Sequence, residues 1–195
     1  MSKKPAILQV ATKLFSKKGF KDTSIADLAN AIGTAQGTIF YHFNSKEQLF
    51  LSVLKALNEG IIEEFKSYLR ERDFKTGLHM AEGAISFYIY LAGTMEEWFL
   101  LLHRHDAYEL AEVNNVCRQN LEGIYNSILD IFEKAVLLGQ EDGSIADMPA
   151  RKTALIIFAM VDGLVRFNTY KLYDAGALYN ELIASCRRIL QNKTS

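Results

Sequence analysis

Residues 23–50, TSIADLANAIGTAQGTIFYHFNSKEQLF, decide the fold. Ser24 and Asp27 have the spacing of a capping box, Ile25, Leu28, Ala29 and Ile32 recur at i, i+3, i+4 and i+7, and Gly33 supplies a stop. A further helix is expected from Thr34 to Phe43. At about 100° per residue it sets Ile39, Phe40 and Phe43 on one face and Thr38, Tyr41 and His42 on the other. Two short helices joined by the turn Ala31-Ile32-Gly33-Thr34, the second apolar behind and polar in front, make a helix-turn-helix. A front face that enters a major groove must offer hydrogen-bonding groups of modest size, so Thr38, Tyr41 and His42 are the candidate base-edge readers.

Upstream, Ile7, Leu8, Ala11, Leu14 and Phe15 line one helical face, Pro5 suits a first turn, and Gly19 after Lys17 and Lys18 suits a C-terminal stop. Downstream, Asn44 and the Ser45-x-x-Gln48 box start a fourth helix, whose stripe Leu49, Phe50, Val53, Leu54, Leu57, Ile61 and Phe65 runs past Glu64. Further helical runs are expected near 77–103, 105–118, 120–139, 150–171 and 175–192, with Gly139, Gly143 and Pro149 marking the clearest loop. No alternating strand pattern competes. The reading is all-α, about nine helices, with a three-helix head at 1–48 and a larger helical domain at 49–195.

Composition narrows the class. The chain has 195 residues, 49% of them hydrophobic and 23% charged, with only 2 Pro, which excludes a disordered polymer and suits long helices. The net charge of −1 conceals an asymmetry: eight lysines face three acids through Lys55, and 14 basic residues face 20 acidic ones after it. A basic first quarter before an acidic remainder is the pattern of a head that meets a polyanion. Cys117 and Cys186 form neither a metal spacing nor a secreted framework, which points to a reducing, cytoplasmic setting. The N-terminal stretch does not read as a leader, and the richest apolar run, 154–161, stops at Asp162, short of the ~20 residues of a spanning helix, so no membrane partner is expected.

Ser24, at the start of the second helix, and Lys46, at the start of the fourth, are placed to grip phosphates and set register. The Thr23-Ser24 entry, the Ala29 to Gly33 turn, Gly37 to Phe40, Tyr41 and His42 before Phe43, and the Ser45-Lys46-Glu47 run together resemble the DNA-binding domain of the TetR family of bacterial transcription regulators. By that resemblance Gln36, Thr38, Tyr41, His42 and Lys46 match positions that touch DNA, although helical angle puts Gln36 near the packed side. Two positions depart from the family pattern: Ala26 stands where a basic side chain is common, and Ala35 where a Ser cap is common, which moves capping to Thr34 or weakens it. The resemblance implies a homodimer paired through its last two helices on a palindromic double-stranded operator, and a larger domain that binds an unidentified small-molecule effector.

For dimerisation, Ala154, Ile157, Phe158, Val161, Leu164 and Val165 form one apolar face, and Leu178, Leu182, Ile183, Cys186, Ile189 and Leu190 another, each either pairing with its copy or buried within the monomer. For the effector, the aromatic load of the larger domain nominates Tyr88, Trp98, Phe99, His103, Tyr125, Phe158 and Phe167. His103, His105, Asp106 and Glu109 pose a metal or acid–base question against the simpler reading of polar contacts at a helix junction. No nucleophile, phosphate loop or cofactor motif accompanies them, so no catalytic residue, cofactor or metal is assigned and an enzyme is not expected. Cys117 beside Arg118 reads as an inert thiol or as one whose lowered pKa senses oxidants. The expected function is a ligand-responsive regulator, most naturally a repressor. The contrasting reading is a helical small-molecule-binding or adaptor protein whose head does not read DNA.

Overall fold

The computed structural model describes residues 3–174 and 176–191. Ala175 and Asn192, at the ends of the expected last helical run, lie outside the described residues. Among those described there are ten helices and no strand: α1 Lys4–Lys18, α2 Ile25–Ile32, α3 Gln36–His42, α4 Lys46–Arg70, α5 Gly77–Thr94, α6 Glu96–Leu102, α7 His105–Val113, α8 Asn115–Glu141, α9 Ala150–Thr169 and α10 Tyr179–Gln191. None is long and apolar enough to cross a membrane.

The tenth helix comes from a break within the expected run 77–103. Met95 leaves helical geometry at φ −113°, ψ 44°, and its carbonyl then accepts from Trp98 N and Phe99 N to open α6. Gly93, two residues earlier, is a weak local signal, and no Pro or turn cluster strengthens it. The next boundary falls at Asn114, whose side-chain oxygen accepts from Cys117 N at 2.9 Å and thereby caps α8.

The chain divides into two compact units, Met1–Gly60 with Met95–Ile124, and Ile61–Thr94 with Tyr125–Ser195. In the first, α1 packs on α2 and α6, and α2 packs on α3. Its core gathers Ile7, Ala11 and Phe15 from α1, Leu28 from α2, Ile39 from α3, and Leu49, Phe50, Val53 and Leu54 from α4, all essentially fully buried. Phe15 meets Phe50 edge-on at 5.3 Å, and Phe20 meets it at 4.9 Å. The fully buried rings of Phe15 and Phe50 each contribute about 1.5–3 kcal/mol by leaving water, and half-buried Phe20 contributes less. The Trp98 ring rests on the bare Cα of Gly60.

In the second unit α5 packs on α9 and α10, and α9 on α10. The phenol of Tyr88 donates to Asp162 at 2.5 Å, and the Phe158 ring meets Tyr88, Tyr125 and Phe132 at 5.4, 6.1 and 5.7 Å. The start of α5 is capped from the 142–144 loop: Gly77 N donates to Asp142 at 2.6 Å and Leu78 N to the Ser144 hydroxyl at 3.1 Å. Hydrogen bonds to Asp142 from the Ser144 side chain first, then from Gly77 N and from Ser144 N at 2.8 Å, hold its carboxyl below the ordinary range.

Most of each apolar face offered for dimerisation turns inward, although Leu164, Ile183 and Ile189 are half-buried and Leu178 is exposed. Ala154, Ile157, Phe158, Val161 and Val165 of α9, with Leu182, Cys186 and Leu190 of α10, are buried within the monomer. The apolar side chains left outside on α9 are Leu155, Ile156 and Phe167, with Tyr170 just after it. Both sides of α9 are apolar, so periodicity could not tell which one the monomer would take.

Candidate nucleic-acid interface

Ser24 is the N-cap of α2. Its hydroxyl accepts from Asp27 N at 3.0 Å and donates to the Asp27 carboxylate at 2.8 Å, while Ser24 N donates to the same carboxylate at 2.9 Å. These bonds, the backbone one foremost, lower the Asp27 pKa. The hydroxyl is thus committed to the helix start, and only its exposed location is available to a phosphate.

The turn follows directly. Gly33 ends α2 at φ 71°, ψ 44°, a left-handed conformation that costs glycine least, and Thr34 N reaches back to Ala29 O at 2.9 Å. The N-cap of α3 is Ala35, one residue after Thr34, and it has no side-chain cap, so the capping does not move to Thr34. The Thr34 hydroxyl instead accepts from Lys3 at 3.4 Å.

On α3, Ile39 is buried and anchors the helix, and Phe43 just after it does the same. Tyr41 is 84% exposed and its ring meets that of His42 edge-on at 5.1 Å. Thr38 and His42 are half-buried beside it. Gln36 is exposed, not near the packed side, because α3 begins at Gln36 and the first turn stands clear of α2 packing. Phe40 is 46% exposed and so only partly shares the packed face with Ile39 and Phe43. The outer surface of α3 therefore presents Gln36, Tyr41 and Phe40 with Thr38 and His42 at its margins, a polar and aromatic set that fits a major groove.

Lys46 is half-buried. Its ammonium donates to Phe20 O at 2.7 Å and Lys21 O at 3.3 Å and lies 4.5 Å from the Phe20 ring centroid. An ammonium has three donors, so one remains for a phosphate while the others tie the start of α4 to the loop after α1. Asn44 N donates to the Gln48 side chain at 2.7 Å and Gln48 N to the Ser45 hydroxyl at 3.0 Å, completing that helix start.

Sequence reasoning missed Arg104. Its Nη1 donates to Ser16 O at 3.2 Å and Lys17 O at 3.3 Å, its Nη2 to Lys18 O at 3.3 Å, and its Nε to Asp106 at 3.0 Å. A guanidinium thus satisfies the last carbonyls of α1 from the α6–α7 junction. Gly19 makes room: it has φ 94°, and a Cβ there would stand 2.7 Å from Asp106 Oδ2 and 2.8 Å from Arg104 Nη2. Lys21 pairs with Glu109 at 2.8 Å, a bond that raises the lysine pKa, and His105 lies 3.6 Å from the same carboxylate. The 103–109 cluster accordingly takes its polar-contact reading. Lys18 lies 3.5 Å from Asp27, whereas Lys17 makes no ion pair among the described residues.

The nominated effector residues are distributed over the two units. Tyr88, Tyr125 and Phe158 come together in the second unit. Trp98, Phe99 and buried His103 belong to the first, with the Phe99 and His103 rings 6.2 Å apart. Phe167 stands half-exposed against Tyr173 at 5.6 Å. Cys117 is fully buried, its thiol 3.4 Å from Ala107 O, and burial pushes its pKa up to about 11, which removes the oxidant-sensing reading.

Residues 7–53 match the profile of bacterial regulatory proteins, tetR family. The chain is 24% identical to the fatty acid metabolism regulator protein of Bacillus subtilis over 98% of both chains. It is 25% identical to the HTH-type transcriptional regulator TtgR of Pseudomonas putida over 82% of this chain and 77% of the relative. Among solved structures, FadR from Bacillus subtilis in complex with stearoyl-CoA superposes with a TM-score of 0.76 at 22% identity, covering 94% of this chain and 96% of that one, a likeness of fold.

Proposed function

We propose that this chain, whose residues 7–53 match the tetR family profile, is a TetR-type homodimeric, ligand-responsive repressor whose α3 reads a palindromic operator. The observation that carries the reading is the outer surface of α3, where Tyr41 is 84% exposed within a segment that matches the family profile in register. Gln36, Thr38, Tyr41 and His42 would meet base edges, and Ser24 and Lys46 the flanking phosphates. The functional division assigns 1–48 to DNA and 49–195 to effector binding and dimerisation. The basic first quarter supports the first assignment, since Lys side chains near phosphates supply a salt-dependent share of affinity.

Dimerisation is assigned to α9 and α10 through the outward Leu155, Ile156 and Phe167 of α9, Tyr170 just after it and Leu178 just before α10, apolar surface that a single copy leaves exposed. Two α3 helices on a two-fold axis would then meet half-sites about one helical turn apart, or a multiple of it. The effector acts by differential affinity, favouring a dimer whose α3 helices are wrongly spaced for successive grooves. One continuous α4 from Lys46 to Arg70 and the Arg104 grip on α1 are the elements suited to carry that shift. The stearoyl-CoA in the Bacillus subtilis structure makes a small-molecule input the natural expectation here.

Selection of bound duplexes from random DNA by the purified protein, at two salt concentrations, tests the proposal. It expects a recovered palindrome whose binding falls steeply with salt. Recovery of no consensus would overturn it in favour of the adaptor reading.

A further inference from the structure

Outside the interior cluster around Phe158, the second unit carries a groove of about 620 Å³ between the end of α4, α5 and the start of α10. That is the size of a small-molecule site. One wall is a run of nearly parallel rings: Tyr68 stacks on Phe87 at 4.0 Å and 12°, and Phe87 continues to Tyr90 at 5.9 Å and 25°. Phe87 is buried, but Tyr90 is 61% exposed, so the run ends in a ring that still has surface to give. Parallel rings favour a flat aromatic guest in offset stacking.

The polar groups on the groove decide the guest's charge. Arg72 lies 4.6 Å from the Tyr68 ring centroid and makes no ion pair among the described residues. A guanidinium fork that stacks on a ring while its edge stays open is shaped for a carboxylate. The carboxylate on the lining, Glu82, is held by Arg187, whose Nε and Nη2 both stand 2.7 Å from Glu82 Oε1. Its charge is thereby answered, and Arg72 remains as the uncompensated one. Across the groove the Tyr179 hydroxyl donates to Ser86 at 2.6 Å while Ser86 donates to Glu82 O at 2.7 Å, so both hydrogens are spent and the two oxygens keep only acceptor capacity for a second polar substituent.

We propose that this groove binds a planar aromatic carboxylate, its ring laid along Phe87 and Tyr90 and its carboxylate paired with Arg72. Burial holds the Tyr68 phenol above its ordinary pKa, so it stays a neutral wall beside that anion. The proposal goes beyond the DNA-binding reading and stands whether or not the head reads an operator.

Calorimetric titration of the full chain with 2-naphthoate and with 2-naphthylmethylammonium, which share a ring system and differ in charge, tests it. Naphthoate is expected to bind about tenfold more tightly or better, the order of a charge-assisted hydrogen bond. Arg72→Gln should remove that preference and Tyr90→Ala should weaken both probes, each with an unchanged far-ultraviolet spectrum. Both side chains are exposed or rim positions, so the fold should tolerate both changes. Preference for the ammonium, no binding of naphthoate, or naphthoate binding that both substitutions leave unchanged would overturn the assignment. Operator affinity is not an input to the result, so failure of the groove and failure of the DNA reading are separately visible.

Discussion

The outer face of α3 and the two joints that hold it use similar residue types for different work. At the joints, the Ser24 hydroxyl and two of the three Lys46 donors are already spent on Asp27, Phe20 and Lys21. On the outer face, Tyr41 is 84% exposed and its ring touches only His42 in the described ring contacts. A polar side chain with its bonds satisfied inside the protein fixes a scaffold, whereas one left open to water can exchange that water for a base edge. Motif matching places all of them in one DNA-binding set. Hydrogen-bond accounting divides that set into readers and holders.

Substitutions should separate the two kinds. Tyr41→Ala is expected to give the largest effect, about 1–3 kcal/mol of operator affinity per half-site, with thermal stability unchanged. Binding titrations beside melting curves would check it, and a fall in melting temperature with retained affinity would erase the distinction. Arg104→Ala should cost the first unit about 1.5–3 kcal/mol of stability, because it strips charge-assisted bonds from the last carbonyls of α1. Denaturant titration would measure that loss.

Lys46→Met sits across the division and should sharpen it. Stability should fall by roughly 1–2 kcal/mol as the bonds to Phe20 and Lys21 go, and the salt slope of DNA binding should drop by about one per copy as the third donor goes. Ser24→Ala should cost about 1 kcal/mol of stability, the ordinary worth of an N-cap. Its operator affinity, measured well below the melting range, should change far less than that of Tyr41→Ala.

A further effect concerns the thiols and is confined to high pH. Burial raises Cys117 and Cys186 from the ordinary 9.0 to about 11. For an acid whose folded pKa is the higher one, the stabilisation is complete below pH 9 and is lost as pH rises from 9 through 11, because the unfolded chain ionises first. The denaturant midpoint should therefore decline over that window. At pH 8 a thiol reagent should react only as fast as the protein opens.

Much of the head was legible in the sequence because its signals are local. The Ser24–Asp27 box, the Gly33 stop and the Ile39 anchor each lie within a few residues of what they control, and each appears in the structure where the spacing puts it. What was not legible depends on partners far along the chain. Arg104 finds the end of α1 more than eighty residues away, Tyr179 reaches Ser86 across a similar distance, and no local pattern announces either bond. The exposure of Phe40 and Gln36 turned on where α3 begins, which an uncapped start at Ala35 leaves unmarked. On α9 both faces are apolar, so only packing could show that Ala154, Ile157 and Val161 face inward while Leu155 and Ile156 face out.

The central claim is that α3 reads base edges through its open face while the joints chiefly hold it there and touch no more than phosphates. Operator affinity of wild type, Tyr41→Ala and Ser24→Ala, each titrated on the selected palindrome across a salt series with melting curves alongside, tests it most directly. The account predicts that Tyr41→Ala loses affinity at every salt concentration and keeps its melting temperature, while Ser24→Ala melts earlier and binds nearly as wild type. Equal affinity of Tyr41→Ala and wild type for the palindrome would contradict it.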